Sequence, residues 1–349
     1  MNNKEKGIRI RTQIVRDVVH HPSDISNHIA NIFNITPQAV YYHVKRLEKE
    51  GRITSTGTGK GKRYSLGPVR NYSVKLPFSE ALSEDLIWRK SFAYLFEDME
   101  ENVVDICHYG FTEMVNNSID HSDGVHLIIH IYKDKDKIQM FVIDDGEGIF
   151  RRITRLCHLA DERHAIMELS KGKLTTDPDN HTGEGIFFTS RMFDEFEIES
   201  KGLNYSHYDK HSFDFLFDSP LDMESMGTMV VMVLKNTSKR LIRNVFDEFT
   251  EDSYGEGTSQ FNKTVIPVKL AIYGNEKLVS RSQAKRLLIR IEKFQHVIFD
   301  FKDVTTIGQA FADEIFRVYA NKNAHINLLS VNMNEEVEKM VQRALGNKG

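Results

Sequence analysis

The sequence predicts a multidomain α/β protein, and three observations carry that expectation. Its 349 residues exceed what one ordinary core holds, so two or three domains are the natural division. Charge is unevenly spread. Residues 1–70 carry 13 Lys/Arg and 5 Asp/Glu; of the chain's 46 and 50, the remainder carries 33 and 45. A head of +8 on a body of −12 points to a polyanionic partner for the head. Residues 262–349 then alternate strand-type and helix-type patterning, as α/β domains do.

Composition narrows the class. Hydrophobic content of 40% and charged content of 28% describe a soluble globular protein rather than a disordered one. No run of about 18 uncharged apolar residues is present, so no membrane span is expected. The opening MNNKEKGIRIRTQ lacks the apolar stretch of a leader peptide. Cys107 and Cys157 have no metal-site spacing, and a reduced, cytoplasmic setting fits them.

In the head, residues 12–21, 24–33 and 37–50 read as helices. Ser23 is placed to cap the second, and Thr36 with Pro37 marks the start of the third. Val40, Val44 and Leu47 recur at helical spacing and face a small core, which leaves Gln38, Tyr42, Lys45 and Lys49 on the opposite face. RITSTGTGKGKRYSL then supplies two short strand-like runs around a Gly-rich basic tip. Residues 1–68 thus resemble the winged helix-turn-helix family. The resemblance implies double-stranded DNA as partner. It sets Gln38, Tyr42, Lys45 and Lys49 toward a major groove, with Lys60, Lys62 and Arg63 on phosphates. A protein-binding winged helix is the alternative, which the +8 balance disfavours.

Residues 67–83 read as a linker with one short strand, and DLIWRKSFAYLFEDM from 84 as a helix. A long helix over 101–121 puts Glu113, Asn117 and Asp120 or His121 on one face, because residues three and four apart are neighbours. Met114, Val115, Ser118 and Ile119 can face a core. An amide oxygen one turn from a carboxylate suits magnesium and water activation. Strands at 125–132 and 138–143 lead into Asp144-Asp145-Gly146-Glu147-Gly148, where a buried carboxylate can meet a ligand while glycines permit close approach. A polar stretch over 150–180 follows. His181-Thr182-Gly183-Glu184-Gly185 opens another helix, whose free N–H groups suit phosphate. Met226-Gly227-Thr228 starts an apolar strand.

Those motifs, in that order, make residues 84–235 resemble the GHKL ATPases, an α/β sandwich family. The resemblance implies ATP and Mg²⁺. It assigns Asn117 to the metal, Asp144 to the adenine amino group, Gly146 and Gly148 to the adenine pocket and Thr228 to its support. Thr182, Gly183 and Gly185 fall to the phosphates, residues 150–182 to a nucleotide lid, and Glu113 to the general base. Lys171, Lys173 and Arg191 are the candidate γ-phosphate cations. Asp145 and Glu147 read as solvated turn charges. No histidine sits on a dimerising helix as a phospho-acceptor would.

Residues 236–262 read as a helix and a polar linker, and 262–349 as a domain that resembles the STAS-like family with a Phe-Ala-Asp-Glu motif, here Phe311 to Glu314. Ile307-Gly308-Gln309-Ala310-Phe311 lacks the phosphorylatable serine of the antagonists, and the acidic motif reads as a helix start. The expectation is a homodimeric, cytoplasmic DNA-binding regulator that hydrolyses ATP slowly, with a protein partner for the STAS-like domain. An anti-sigma-type serine/threonine kinase and an ATP-liganded repressor are the alternatives.

Overall fold

The computed structural model describes residues 3–174, 183–208, 213–218, 227–252, 259–272 and 276–346. Three helices, α1 (Asn3–Asp17), α2 (Ile25–Phe33) and α3 (Pro37–Lys49), precede a hairpin of β1 (Ile53–Thr56) and β2 (Arg63–Leu66). Ile10, Ile14 and Val18, each one turn from the next, bury a stripe of α1 against Val40, Val44 and Leu47 of α3. That stripe extends α1 nine residues before the expected start at 12, through a segment whose basic residues disguise it. Thr36 caps α3 as expected, accepting the Ala39 N–H at 3.2 Å, with Pro37 in the first turn. Ser23 does not cap α2. Asp24 holds that position, without a side-chain bond to the helix.

The central sheet has seven strands in the order β3-β4-β5-β9-β6-β7-β8. They are β3 (Arg70–Pro77), β4 (His126–Lys133), β5 (Lys137–Asp144), β6 (Glu195–Ser200), β7 (Leu203–Tyr208), β8 (Phe213–Asp218) and β9 (Thr228–Lys235). All neighbours run antiparallel. The one strand expected within 67–83 is the edge strand β3, whose Tyr72, Val74 and Leu76 alternate and pair with Ile131, Ile129 and Leu127. The 84–96 segment is helical but irregular. A short α4 (Glu84–Ile87) passes into a π turn and a 3₁₀ turn that bury Trp88, Phe92, Leu95 and Phe96.

Helix α5 (Glu101–His121) lies along β5 and β9, with Val103, Ile106, Phe111, Met114 and Val115 buried. Beside it come α6 (Ile149–Leu156), α7 (Glu162–Lys171) and α8 (Gly185–Met192). Part of the polar-looking stretch is not solvated: every residue of α7 from His164 to Lys171 is buried. After β9, α9 (Ile242–Phe249) leads into a hairpin of β10 (Thr250–Asp252) and β11 (Ser259–Phe261), where a polar linker was expected. Its phenylalanines explain the difference. Phe246, Phe249 and Phe261 pack on Phe187 and Phe188 with ring centroids 4.4–6.4 Å apart.

The C-terminal unit is a three-stranded parallel sheet of β12 (Lys263–Pro267), β13 (His296–Asp300) and β14 (Asn327–Val331). Its helices are α10 (Arg281–Leu288), α11 (Gln309–Asp313), α12 (Ala320–Lys322) and α13 (Glu335–Gly346). Ser280 and Gln283 form a capping box on α10. One continuous apolar core runs through the central and C-terminal units, while the head keeps a separate core. Tyr94 packs against both.

Candidate nucleotide site

Helix α5 supplies the floor of a cavity of about 140 Å³. Glu113, Asn117 and His121 line it at successive turns, as helical spacing requires, each followed by a further lining residue, Met114, Ser118 and Ser122. Asp120 is exposed and not among the lining residues. The volume is below the roughly 300–1,000 Å³ of whole-ligand pockets.

The far wall comes from the ends of two neighbouring strands. Asp144, the last residue of β5, is buried, and its Oδ1 accepts the N–H groups of Gly146 at 3.0 Å and Thr228 at 3.1 Å. Burial pushes this carboxyl up to about 6 against the pull of those two bonds. Thr228 also accepts the Ile149 N–H on its hydroxyl at 3.0 Å, which ties the start of α6 to β9. Gly148 caps α6 at φ +96°, a conformation open to glycine, and lines the cavity. Gly146 stands one layer back, where its N–H serves Asp144 and its backbone packs on Ser122. The two acidic neighbours turn outward. Asp145 accepts the N–H groups of Val125 and His126 at 2.6 and 2.8 Å, and Glu147 pairs with Arg155 at 2.6 Å. Burial works against the Asp145 carboxylate, but those donors hold it down to about 2.

The third wall is the segment between α7 and α8. Leu169, Leu174, Gly183, Gly185 and Ile186 line it. A Cβ on Gly185 would overlap the Glu113 carboxylate where it now lies, so a side chain at 185 would displace that carboxylate. Thr182 lies outside the described residues, as does His181. The three expected γ-phosphate cations are committed elsewhere. Lys171 is 1% exposed, and its ammonium donates to Glu168 at 2.5 Å and to the Ile289 carbonyl at 2.8 Å. Lys173 donates to the Lys293 carbonyl at 3.1 Å and lies over the Phe261 and Phe294 rings. Arg191 stacks on Phe187 at 3.5 Å and donates to the Phe187 carbonyl. Sequence reasoning missed Arg152, which also lines the cavity; at four residues after Gly148 it reads as one more surface arginine of α6.

Among the described residues, no three His, Cys, Asp or Glu side chains converge as a metal cage. Magnesium needs as few as one or two protein oxygens, with water and phosphate completing its shell, and the Asn117 amide and the Glu113 carboxylate are oxygen-bearing groups that line this cavity.

On the head, Gln38, Tyr42, Lys45 and Lys49 are all exposed on one side of α3, Tyr42 at 76%. Lys60 and Arg63 are exposed on the hairpin. Lys62 is not displayed with them. It pairs with Glu48 at 3.3 Å and lies over the Tyr64 ring, and Glu48 also takes Lys45 at 2.9 Å.

The C-terminal unit packs against the end of α7, and none of its described residues lines the cavity. Its strands run in the parallel order β12-β13-β14, with α10 before β13 and α11 after it. Residues 283–338 match the STAS-like domain of unknown function (DUF4325). No curated protein matches the chain. Within this STAS-like domain the helix starts at Gln309, so Phe311 falls in its first turn and the acidic Asp313 and Glu314 come after it. Phe311 is buried, and Asp313 accepts from Gln309 at 2.9 Å and Arg317 at 3.3 Å. The motif thus braces its own helix. It is the Arg286, Ile289 and Lys293 carbonyls of this STAS-like domain that hold Lys171 and Lys173. Among the described residues no helix is long and apolar enough to cross a membrane.

Proposed function

We propose that the protein is an ATP-binding, DNA-binding regulator whose central unit is of the GHKL type and turns over Mg-ATP slowly. One observation carries the reading: a single cavity gathers Glu113, Asn117, Asp144, Gly148, Gly183, Gly185 and Thr228, residues spread over 116 positions of chain. In this reading the Asp144 carboxylate accepts from the adenine amino group, while the two backbone N–H groups fix the orientation of its Oδ1. Magnesium, held by Asn117, neutralises phosphate charge. Glu113 orients and deprotonates the attacking water, a role that suits a carboxylate one helical turn from the metal ligand. DNA binding by the head rests on its +8 balance and on the polar face of α3; residues 1–68 then act as a winged helix. A homodimer supplies two such heads for two half-sites.

The test is a turnover assay with labelled ATP on the full chain. Glu113→Gln is expected to retain ATP binding and to lose about 10²–10⁴ of the hydrolysis rate, as removal of a general base does. Undiminished hydrolysis in that variant removes Glu113 from the chemistry. Label recovered on protein rather than as free phosphate replaces the ATPase reading with the kinase one.

A further inference from the structure

The proposed nucleotide carries several negative charges into a cavity that already holds two carboxylates. Glu113 and Asp144 both line it, and the lysines and arginine that family resemblance offers for the phosphates are spent on the α7–α8 wall and the STAS-like domain. Among the described residues, Arg152 is the one lysine or arginine that lines the cavity. It projects from the second turn of α6, whose start is fixed by the Thr228 hydroxyl and by Arg152 N–H to the Gly148 carbonyl at 3.0 Å.

The guanidinium is only partly satisfied. Its Nη1 donates to Asp123, whose carboxylate is 67% exposed, while the side chain of Arg152 is 18% exposed. Its Nε is buried and has no hydrogen-bond partner. A buried donor on a cation carries a desolvation cost that an anionic acceptor relieves. The planar fork suits two oxygens of one phosphate. We infer that Arg152 is a phosphate-binding residue of this site, held in place by Asp123 from the solvent side. The inference rests on the nucleotide reading and adds the cation which that reading lacks.

Calorimetry with adenosine and with ADP, both in excess magnesium, separates the two ideas on the full chain. Wild-type protein is expected to bind both. Arg152→Ala is expected to weaken ADP by about 10- to 100-fold, the usual worth of a charge-assisted pair, and to leave adenosine within about twofold. Asp123→Asn, which keeps the arginine, is expected to hold ADP affinity within about threefold, since an exposed ion pair contributes little. Retained adenosine binding also reports that the cavity is intact; if the alanine variant does not fold, Arg152→Gln makes the same comparison. Equal losses for adenosine and ADP, or none for ADP, overturn the phosphate role while the nucleotide reading stands. A wild-type protein that binds neither ligand overturns both.

Discussion

At the scale of single residues, Asp144 sets the pH behaviour of the site. Its ordinary value of 3.8 rises to about 6, first through burial. A group raised on folding stabilises the protein in its protonated form, so this contribution is full below 3.8 and is lost as pH rises through about 6. A ligand amino group needs the carboxylate, so binding runs the other way. Adenine-nucleotide affinity is expected to fall about tenfold per pH unit below about 6, and Asp144→Asn is expected to bind weakly with no such slope. Calorimetry at pH 5, 6 and 7.5 checks this; a flat profile in the wild-type protein contradicts it. That Glu113, Asn117, Asp144, Gly148 and Thr228 come together in one cavity was legible in the sequence because their types are unusual where they stand, as with an amide one turn after a carboxylate, whereas Gly146 stands off the cavity. Arg152 and the fate of Lys171 were not legible. Charged side chains read as solvated faces, and burial against a carbonyl from 118 positions away leaves no local mark.

At the scale of elements, α7 is the joint between cavity and STAS-like domain. Its last turn carries Glu168 and Lys171, 2% and 1% exposed, and the Lys171 carbonyl accepts the Thr264 hydroxyl at 2.7 Å. Removing one member of such a pair strands the other. Lys171→Met is expected to cost about 3–5 kcal/mol, and Glu168→Gln with Lys171→Met together to recover much of that, as read from chemical denaturation. A single variant as stable as wild type would show that the pair contributes nothing. Elements with one dominant period were readable: α3, α5, β4, β5 and β9 follow their patterns to within a residue or so. The three strands β6, β7 and β8 were not expected at all. Phe196 and Ile198 alternate in β6, but Ser200, Asn204 and Ser206 are buried polar positions, and these mask a strand's periodicity. The strand within 67–83 was expected, but not that its first residue, Arg70, is a buried cation.

For the whole molecule, the head meets the body through direct contacts. Arg70 of β3 spans the Gly67 carbonyl, the Leu95 carbonyl and Asp98, and Arg52 of the head donates to the Asn71 carbonyl at 3.2 Å. Tyr94 packs on both cores beside it. This arrangement makes the head's placement sensitive to the segment that follows β3. On the head itself, Lys60→Ala and Arg63→Ala are each expected to lower the salt dependence of duplex binding by about one unit of slope. Lys62→Ala is expected to change it less, because Glu48 already neutralises that lysine. Equal effects at all three positions, measured by salt titration of a fluorescent duplex, would show that Lys62 leaves Glu48 on binding.

ATP is further expected to alter duplex affinity, with coupling typically about 1–3 kcal/mol. Both ideas stand on the cavity's choice of ligand. The most direct measurement is therefore a competition of ATP against GTP for the full-length protein in magnesium, repeated with Asp144→Asn. Guanine presents a carbonyl where adenine presents an amino group, so a carboxylate accepts from one and repels the other. The expected result is saturable ATP binding that GTP does not displace and that Asp144→Asn largely abolishes. Binding of ATP and GTP with equal affinity, unchanged by the substitution, would contradict the assignment of this cavity to an adenine nucleotide.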